Sequence, residues 1–353
     1  MSLQDQKNSR IKKVFVFGHD NVGWSIDADH QNTSRLFSES DEFILTHNIF
    51  SADIVYCVWY DVLIRPHYRF FFTVLKSLFK IKILAVVTNN VQQTPEKVLL
   101  LRKLIDVWVA PNKNIQTFLV NQGVSVIHLP FLVDTSLFQK STLSKNNIAQ
   151  ALGLDIDLLT NTLLIGSIQR DTLQNLIEPK WQKNPDLLIQ IVTRLPKNSY
   201  RLVIAGPRRH YLVNTCRALN IPYVFIGNER LIHTMQDDLL ENNLPLEKVN
   251  LLYNLIDCYL VTSKSEGGPK SVLECALTKT LIFSTPVGLS TDVLHPNLIY
   301  TENEIESLTV KILALIKNKT AYTNEMQHNF TTVSKILDSN RILQIIKKQC
   351  YEN

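Results

Sequence analysis

Residues 257–292 read DCYLVTSKSEGGPKSVLECALTKTLIFSTPVGLSTD, and this stretch decides the fold. It begins with an apolar segment, CYLVT, typical of a buried strand, and passes through a polar turn, SKSEGGPK, into a helical pattern. A second apolar segment, LIFST, ends in another glycine turn at Gly288. Continuous apolar strands separated by a helix indicate parallel strands whose sheet is covered on both faces.

The same alternation runs along the whole chain, with helical patterns such as residues 186–195 between the strands. A polar segment near residues 137–162 divides the strands into two series, and Gly153 within it is typical of a left-handed helix end. We therefore predict an α/β protein with two doubly wound, Rossmann-like domains and a cleft between them. The predicted strands cover 14–17, 54–58, 83–87, 107–110, 126–129, 163–167, 201–205, 223–226, 258–262 and 280–284.

The bulk composition excludes several classes of protein. A chain of 353 residues with 45% hydrophobic residues and a net charge of +5 is an ordinary globular chain and not a dedicated nucleic-acid binder. The five cysteines have no metal-site spacing, and Cys57, Cys258 and Cys275 lie inside apolar segments. Together with a polar N-terminus, they predict a reducing, cytoplasmic setting. Three lysines interrupt residues 70–87, so this segment is not a transmembrane helix.

The turn at residues 263–270 predicts a phosphate site. Gly267 and Gly268 leave backbone N–H groups unobstructed, Pro269 suits the first position of the next helix, and Lys270 adds a cation. Glu266 lies in the turn and Glu274 about one and a half helical turns later, so both carboxylates can accept hydrogen bonds from sugar or ribose hydroxyls. The alternative is a capped surface helix with two solvated glutamates, which the glycines and the preceding strand disfavour.

The segment EGGPKSVLE, followed by STPVGLSTDVL, resembles the donor-site motif of family four of the retaining glycosyltransferases, in its polysaccharide-biosynthesis branch. The resemblance covers the second half well, from residue 163 to about 300, and the first half mainly by pattern. It implies the GT-B architecture, with an acceptor-binding domain at 1–140, a nucleotide-sugar-binding domain at 141–330 and a C-terminal helix at 331–353 that packs back toward the first domain.

The family also implies roles for single residues. Glu266 would orient the donor sugar, Gly267 and Gly268 would donate backbone N–H groups to it and to the diphosphate, and Glu274 would bind the ribose. Lys183 matches the family's lysine for the diphosphate. The family's arginine after the strand glycine is Ser167 here. The other candidates for the nucleotide are Arg170 and Lys180 for the diphosphate, Gly206 for the base or ribose, and Arg209 or Arg208 for phosphate.

In the first domain the resemblance predicts a glycine turn near the donor phosphate or the acceptor. Gly23 is the candidate, with Asn21 and His19 beside it. The family commonly has a histidine after the strand at 83–87, where this chain has Asn89, so only a sugar contact is expected there. The pairs Asp27/Asp29 and Asp155/Asp157 do not follow buried strands, and we expect neither a metal nor a cofactor.

These observations predict a retaining hexosyltransferase that moves a sugar from a UDP- or GDP-linked donor to a saccharide or lipid-linked saccharide. A nucleotide-sugar epimerase and a non-catalytic sugar-nucleotide-binding protein remain alternatives. A Rossmann dehydrogenase or methyltransferase is disfavoured because no GxGxxG follows an early strand. Residues 65–82, RPHYRFFFTVLKSLFKIK, predict either a helix packed on the first sheet or one that also contacts an anionic membrane, with Lys76, Lys80 and Lys82 among its charges.

Overall fold

The computed structural model describes residues 10–19 and 25–351, which form two compact units. Unit 1 contains residues up to Val133 together with Ile336 onward, and unit 2 contains Asp134–Lys335. The first six strands belong to unit 1: β1 (Lys12–Phe17), β2 (Phe43–Leu45), β3 (Ile54–Cys57), β4 (Lys82–Val86), β5 (Val107–Ala110) and β6 (Val126–His128). Its first helices are α1 (Ser25–Ser38), α2 (Pro66–Phe79), α3 (Pro95–Leu101) and α4 (Lys113–Asn121).

Unit 2 contains the remaining five strands. They are β7 (Leu163–Ser167), β8 (Tyr200–Ala205), β9 (Tyr223–Ile226), β10 (Cys258–Val261) and β11 (Leu281–Ser284). Its helices are α5 (Lys145–Ala151), α6 (Pro185–Val192), α7 (His210–Ala218), α8 (Glu229–His233), α9 (Leu246–Leu255), α10 (Lys270–Leu277), α11 (Ser290–Val293), α12 (Ile305–Lys317) and α13 (Thr323–Ile336). The last helix, α14 (Ser339–Tyr351), returns to unit 1.

Both sheets are parallel and show crossovers. The order in unit 1 is β2-β1-β3-β4-β5-β6, and the order in unit 2 is β11-β10-β7-β8-β9. Every strand predicted from the sequence is present, with ends that differ by at most two residues. The sequence pattern missed β2, because this edge strand has only three residues and polar neighbours. The predicted α/β fold with two Rossmann-like sheets is confirmed.

Each sheet has its own apolar core. In unit 1, β3 and β5 are buried throughout and β4 is buried from Ile83 on. Trp108 on β5 is fully buried, in a core that includes residues of α2, α3 and α4. In unit 2, all residues of β7, β10 and β11 are buried, and helices such as α6 and α12 pack on them. Burial on both sheet faces explains why these strands have continuous apolar sequences.

Unit 1 ends at Val133, seven residues before the boundary drawn from the sequence. The reason is the packing of the segment that follows, which belongs to unit 2. Phe138 is 2% exposed and its ring lies 6.1 Å from that of Tyr253 on α9. The Asn254 side chain accepts a hydrogen bond from the Ser141 N–H at 2.7 Å and donates one to the Gln139 carbonyl at 2.9 Å.

Helix α14 is held to unit 1 by polar contacts at the start of β1 and β4. The Tyr351 hydroxyl accepts a hydrogen bond from the Lys12 N–H at 2.9 Å, and the Lys82 ammonium donates to the Gln349 carbonyl at 2.9 Å. Lys347 forms an ion pair with Glu42 next to β2. The five cysteines are free thiols and all are buried, which confirms the interpretation of Cys57, Cys258 and Cys275 as small apolar residues.

Candidate active site

The turn after β10 lies at the carboxyl edge of the unit 2 sheet. The chain leaves the sheet at Val261 and enters α10 at Lys270. Pro269 occupies the N-cap, one position earlier than the sequence predicted, with φ −67°. The N-terminus of a helix carries a partial positive charge, so this end of α10 favours anions. The helix begins where ligands of open α/β sheets bind.

Glu266 is the carboxylate of this turn, and two side chains hold it. The Lys183 ammonium forms a short ion pair with Glu266 Oε1, and the Ser263 hydroxyl donates to the same oxygen at 2.8 Å. Both side chains of the ion pair are partly exposed, 21% for Lys183 and 15% for Glu266. Two residues predicted from separate motifs therefore meet at one point that solvent can reach.

Strand order explains this meeting. Lys183 follows β7 in the chain and Glu266 follows β10, and the two strands are neighbours in the sheet. The two loops are also hydrogen-bonded to each other: the Thr262 hydroxyl donates to the Lys183 carbonyl at 2.9 Å, and the Lys264 N–H donates to the Gln182 carbonyl at 2.8 Å. The carboxyl ends of β7 and β10 thus hold the pair in place.

The second glycine turn supports the first. Gly288 has φ +52°, and a Cβ atom placed there would lie 2.8 Å from Gly268 Cα and 2.9 Å from the Gly267 carbonyl oxygen. A side chain at residue 288 would therefore displace the backbone of the turn that precedes α10. This close approach accounts for the glycine in the PVG segment after β11.

A pocket of about 530 Å³ lies beside this turn, in the loops after β7 and β8. Three of its lining residues are cations: Arg170, Lys180 and Arg208. The others are Thr172, Leu173, Gln174 and Asn175. Three cations and polar amides around an open depression suit an anionic ligand.

The charges of this pocket act on one another. The pKa of Lys180 is lowered to about 8, mainly by burial and then by the positive charges of Arg170 and Lys183, while Glu266 opposes the shift. Arg208 also lowers this pKa. The four cations and Glu266 therefore form one electrostatic cluster, which joins the pocket to the turn before α10. An anion bound there would relieve the repulsion among the cations.

Arg209 is not placed as the sequence predicted. It is fully buried, with its Nε 3.1 Å from Asp171 Oδ2 and its Nη2 donating to the Ser167 hydroxyl at 2.7 Å. Its neighbour Arg208 has φ +55°, lines the pocket and forms a two-point ion pair with Asp237 at 3.0 and 2.7 Å. The arginine of this turn that faces the pocket is Arg208, since the left-handed backbone sends the two side chains in different directions.

Glu274 lies on α10 and is 9% exposed. Its Oε2 accepts a hydrogen bond from the Tyr253 hydroxyl of α9 at 2.7 Å. Gly206 ends β8 with φ +89°, and a Cβ atom there would lie 3.1 Å from the Ile168 carbonyl oxygen. The contact between the turn after β8 and the turn after β7 therefore accounts for a glycine at 206 whether or not a nucleotide binds there.

The candidates in the first domain are described only in part. Gly23 and Asn21 lie outside the described residues. Asn89 donates a hydrogen bond to Asp61 Oδ2 at 2.9 Å, and Lys97 pairs with the other oxygen at 3.0 Å.

In unit 2, the predicted donor-site residue Lys270 is the first residue of α10 and is half-buried.

Sequence reasoning missed Ser263 and Gln169, although both lie at strand ends. The Ser263 hydroxyl is 2.8 Å from Glu266 Oε1 and 3.3 Å from Gln169 Oε1. The signal was available, because a polar residue directly after a buried strand lies at the carboxyl edge where ligands bind.

Within the described ranges no group of three or more His, Cys, Asp or Glu side chains is placed to hold a metal ion. Asp29 is buried on α1, and Asp155 caps a short turn by accepting a hydrogen bond from the Asp157 N–H at 3.0 Å. No helix in the described part of the chain is long and apolar enough to span a membrane.

Comparison with known proteins gives a family match within unit 2. Residues 178–335 match the family model described as glycosyl transferases group 1. The segment includes Lys183, Glu266, Glu274 and both glycine turns. No curated protein sequence matches the chain.

Solved structures with the same fold cover almost all of the chain at low identity. HepE of Anabaena, solved in complex with UDP-glucose, is 12% identical with a TM-score of 0.69, over 98% of this chain and 100% of that one. A glycosyltransferase from Rickettsia africae is 13% identical with a TM-score of 0.68, over 98% and 100%. Sucrose-phosphate synthase from Thermosynechococcus elongatus is 10% identical with a TM-score of 0.66, over 96% and 98%.

The fold is that of the GT-B glycosyltransferases, and the family-model match in unit 2 indicates a glycosyltransferase. Within unit 2, residues 178–335 are similar to glycosyl transferases group 1. The fold and the glycosyltransferase class predicted from the sequence are confirmed, and the family match agrees with the predicted resemblance in unit 2. Retention of configuration and the polysaccharide-biosynthesis branch stay predictions.

Proposed function

We propose that this chain is a retaining hexosyltransferase in which Lys183, Arg170, Lys180 and Arg208 bind the diphosphate of a UDP- or GDP-linked sugar. One observation carries the proposal: the Lys183–Glu266 ion pair lies at the start of α10, beside a pocket lined by the other three cations. Arg208 replaces Arg209 in this set, because Arg209 is enclosed in the core.

The chemistry is the breaking of the bond between the anomeric carbon and the diphosphate oxygen. The negative charge that develops on the leaving diphosphate is stabilised by the cations and by the backbone N–H groups of Gly267 and Gly268. These groups are already in place before the reaction, so little reorganisation is needed. Glu266 orients the donor sugar through its hydroxyls.

Retention fits attack from the face that the diphosphate leaves. The acceptor hydroxyl forms the new bond to the anomeric carbon, and its proton passes to the oxygen of the leaving phosphate. No dedicated protein base is then required. The donor supplies the proton acceptor, and Lys183 keeps the phosphate beside the reacting carbon.

Glu274 is the proposed ribose ligand. Tyr253 binds Oε2 and thereby holds the carboxylate in one orientation. Such a carboxylate can accept from the ribose hydroxyls while it keeps its bond to Tyr253, because each oxygen has two lone pairs. Gly267, Gly268 and Gly206 would allow close approach of the ligand to the backbone.

The experiment is a screen of UDP- and GDP-linked sugars with Glu266→Gln and Glu306→Gln compared with wild type. Glu306 is a matched control, since its side chain is 87% exposed on α12. Loss of a hydrogen bond to a charged group costs about 1.5–3 kcal/mol, so we expect at least about tenfold slower turnover for Glu266→Gln and no change for Glu306→Gln. Near-normal turnover in a folded Glu266→Gln protein would overturn the assignment.

The same assay separates the alternatives. Proton NMR of the sugar released to acceptor or water, recorded before it equilibrates, gives its anomeric configuration, and inversion would contradict a retaining mechanism. Conversion of the donor into another nucleotide sugar would indicate an epimerase, and binding without turnover would indicate a non-catalytic protein. Activity that survives a chelator would support a site without metal.

The proposed acceptor is a saccharide, and α2 suggests that it is lipid-linked. Phe72 and Leu75 pack into the unit 1 core, as a doubly wound domain requires, but Phe70 and Leu78 are 73% and 71% exposed. Residues 70, 74 and 78 lie four apart and so share one face, which is apolar and open to solvent. An exposed face of this kind marks an interaction surface.

Charges beside this face favour an anionic bilayer. Arg65 precedes α2 and Lys80 ends it, and both are exposed. Each basic residue near an anionic surface contributes about 1 kcal/mol. Lys76 and Lys82, which the sequence suggested for the same role, are used inside unit 1 instead: Lys76 pairs with Asp106 at 2.7 Å, and Lys82 donates to the Gln349 carbonyl.

We therefore place the enzyme at the cytoplasmic face of a membrane, as a peripheral protein that receives a lipid-linked saccharide. The five buried free thiols fit a reducing compartment.

A further inference from the structure

Beneath the pocket, Ser167, Asp171 and Arg209 form a buried polar cluster that the proposed chemistry does not use. The exposed fractions of the three residues are 1%, 2% and 0%. Arg209 Nε lies 3.1 Å from Asp171 Oδ2, and Arg209 Nη2 donates to Ser167 Oγ at 2.7 Å. Enclosed charges are costly unless they are paired, so a cluster of this kind calls for a reason.

The cluster lies where the loop after β7 meets the loop after β8. The Asp171 carbonyl accepts from the Lys180 N–H at 2.6 Å, and the Asp171 N–H donates to the Arg208 carbonyl at 3.2 Å. Thr172 continues this contact, because its hydroxyl also donates to the Arg208 carbonyl at 3.1 Å. The loops that carry Arg170 and Lys180 after β7, and Arg208 after β8, are therefore attached to each other at Asp171.

The N–H groups of Tyr211 and Leu212, at the start of α7, act electrostatically on the Asp171 carboxylate. Burial raises the pKa of Asp171 to about 7, and the Arg209 charge and these N–H groups oppose the shift. The carboxylate thus depends on Arg209 and the α7 N-terminus for its charge. Arg209 in turn directly follows Arg208, which has a left-handed backbone and lines the pocket.

We propose that Ser167, Asp171 and Arg209 are positioning residues, which hold Arg170, Lys180 and Arg208 at the spacing that a nucleoside diphosphate requires. This rests on the proposed function, because it assumes that these cations bind the diphosphate. The cluster touches no ligand itself and acts through the three cations of the pocket.

The test compares Asp171→Asn with Asp257→Asn in the full chain. Asp257 is a matched control because it is another ion-paired aspartate of unit 2, with a side chain that is 6% exposed and paired with Lys145 and Lys319. It precedes β10 and therefore lies at the amino edge of the same sheet, away from the pocket. Affinities for UDP, GDP, uridine and guanosine are measured by calorimetry, and folding is checked by thermal melting.

We expect Asp171→Asn to weaken binding of the preferred diphosphate at least about tenfold and to change binding of its nucleoside less than about twofold. Asp257→Asn should lower the melting temperature and leave both affinities within about twofold. In an Arg208→Gln background, the effect of Asp171→Asn should shrink, because the cluster acts through this cation. Unchanged diphosphate affinity, or an equal loss for diphosphate and nucleoside, would overturn the positioning role.

If Asp171→Asn does not fold, Ser167→Ala tests the positioning role instead, because this change removes the hydrogen bond from Arg209 Nη2. A loss of about threefold or more for the diphosphate alone supports the proposal, and a smaller change overturns it. Lys183→Gln separates the two hypotheses. If it weakens diphosphate binding while the cluster variants do not, only the positioning role fails. If it changes nothing, the proposed function fails with it.

Discussion

At the level of single residues, the lowered pKa of Lys180 can be tested directly. Burial and the nearby charges of Arg170 and Lys183 lower the pKa of Lys180 to about 8, from the usual value near 10.5. The free protein therefore loses a pocket cation in a pH range where an exposed lysine would keep its charge.

We predict that nucleoside diphosphate affinity falls as the pH rises from 7 to 9. A bound anion favours protonated Lys180, so this contribution is complete below pH 8 and is lost as the pH passes through the pKa of the free protein. Calorimetry across this range should show the fall in wild type and a flatter profile in Lys180→Gln. Lys197→Gln provides the control, because Lys197 is exposed and bonded to the Leu219 carbonyl. An equally steep fall in Lys180→Gln would assign the effect to another group.

The arginines at 208 and 209 show why residue type alone does not identify a ligand. Both follow β8 and both carry the same charge. Arg208 is 8% exposed and lines the pocket, whereas Arg209 is 0% exposed and pairs with Asp171. The sequence contains no local signal for this difference, since it depends on the left-handed conformation of Arg208 and on an aspartate 38 residues earlier.

Among the helices, α2 combines a face packed on the sheet with an exposed apolar face. Its sequence predicts amphipathic character, but the period does not show which of two apolar faces packs on the sheet. The structure assigns Phe72 and Leu75 to the core and leaves Phe70, Val74 and Leu78 outside.

We predict that Phe70→Ser/Leu78→Ser reduces flotation with anionic liposomes by at least about fivefold while the fold is retained, because neither side chain belongs to the core. Lys80→Glu should weaken flotation on anionic vesicles only. The control is Leu240→Ser/Val310→Ser, which removes two exposed apolar side chains of unit 2. Equal recovery with neutral and anionic vesicles in wild type, or no flotation at all, would contradict a membrane role for α2.

The molecule as a whole has two units with separate cores, and the proposed nucleotide site belongs to unit 2. A ligand that binds only the folded state stabilises it by about 2.7 kcal/mol at a concentration of 100 times Kd. The two units need not unfold in one transition, so the stabilisation belongs to the unit that binds.

We predict that UDP or GDP raises the melting temperature of one transition by several degrees. Lys183→Gln should reduce this shift, while Lys197→Gln should retain it. Differential scanning calorimetry measures both. A shift that survives in Lys183→Gln would place the nucleotide elsewhere.

Most strands and both glycine turns are predictable from the sequence alone. Apolar runs located ten of the eleven strands, because strands buried on both faces leave a continuous signal, and only the three-residue edge strand β2 escaped. The glycines before α10 and after β11 were recognisable because tight turns and close backbone contacts admit few other residues. Glu266 is predicted from the turn before α10, whereas Lys183 is predicted from the resemblance to the retaining glycosyltransferases.

Only the tertiary structure decided which of these residues meet. Lys183 and Glu266 are 83 residues apart, and they pair because β7 and β10 are neighbours in the sheet. The order of strands also brings the loops after β7 and β8 together at Asp171. The packing of these loops directs Arg208, and not Arg209, into the pocket. In unit 1, packing places Lys76 and Lys82 in contacts with Asp106 and Gln349. Sequence patterns report local conformation and burial period, whereas contacts between distant loops depend on strand order and on the packing around each side chain.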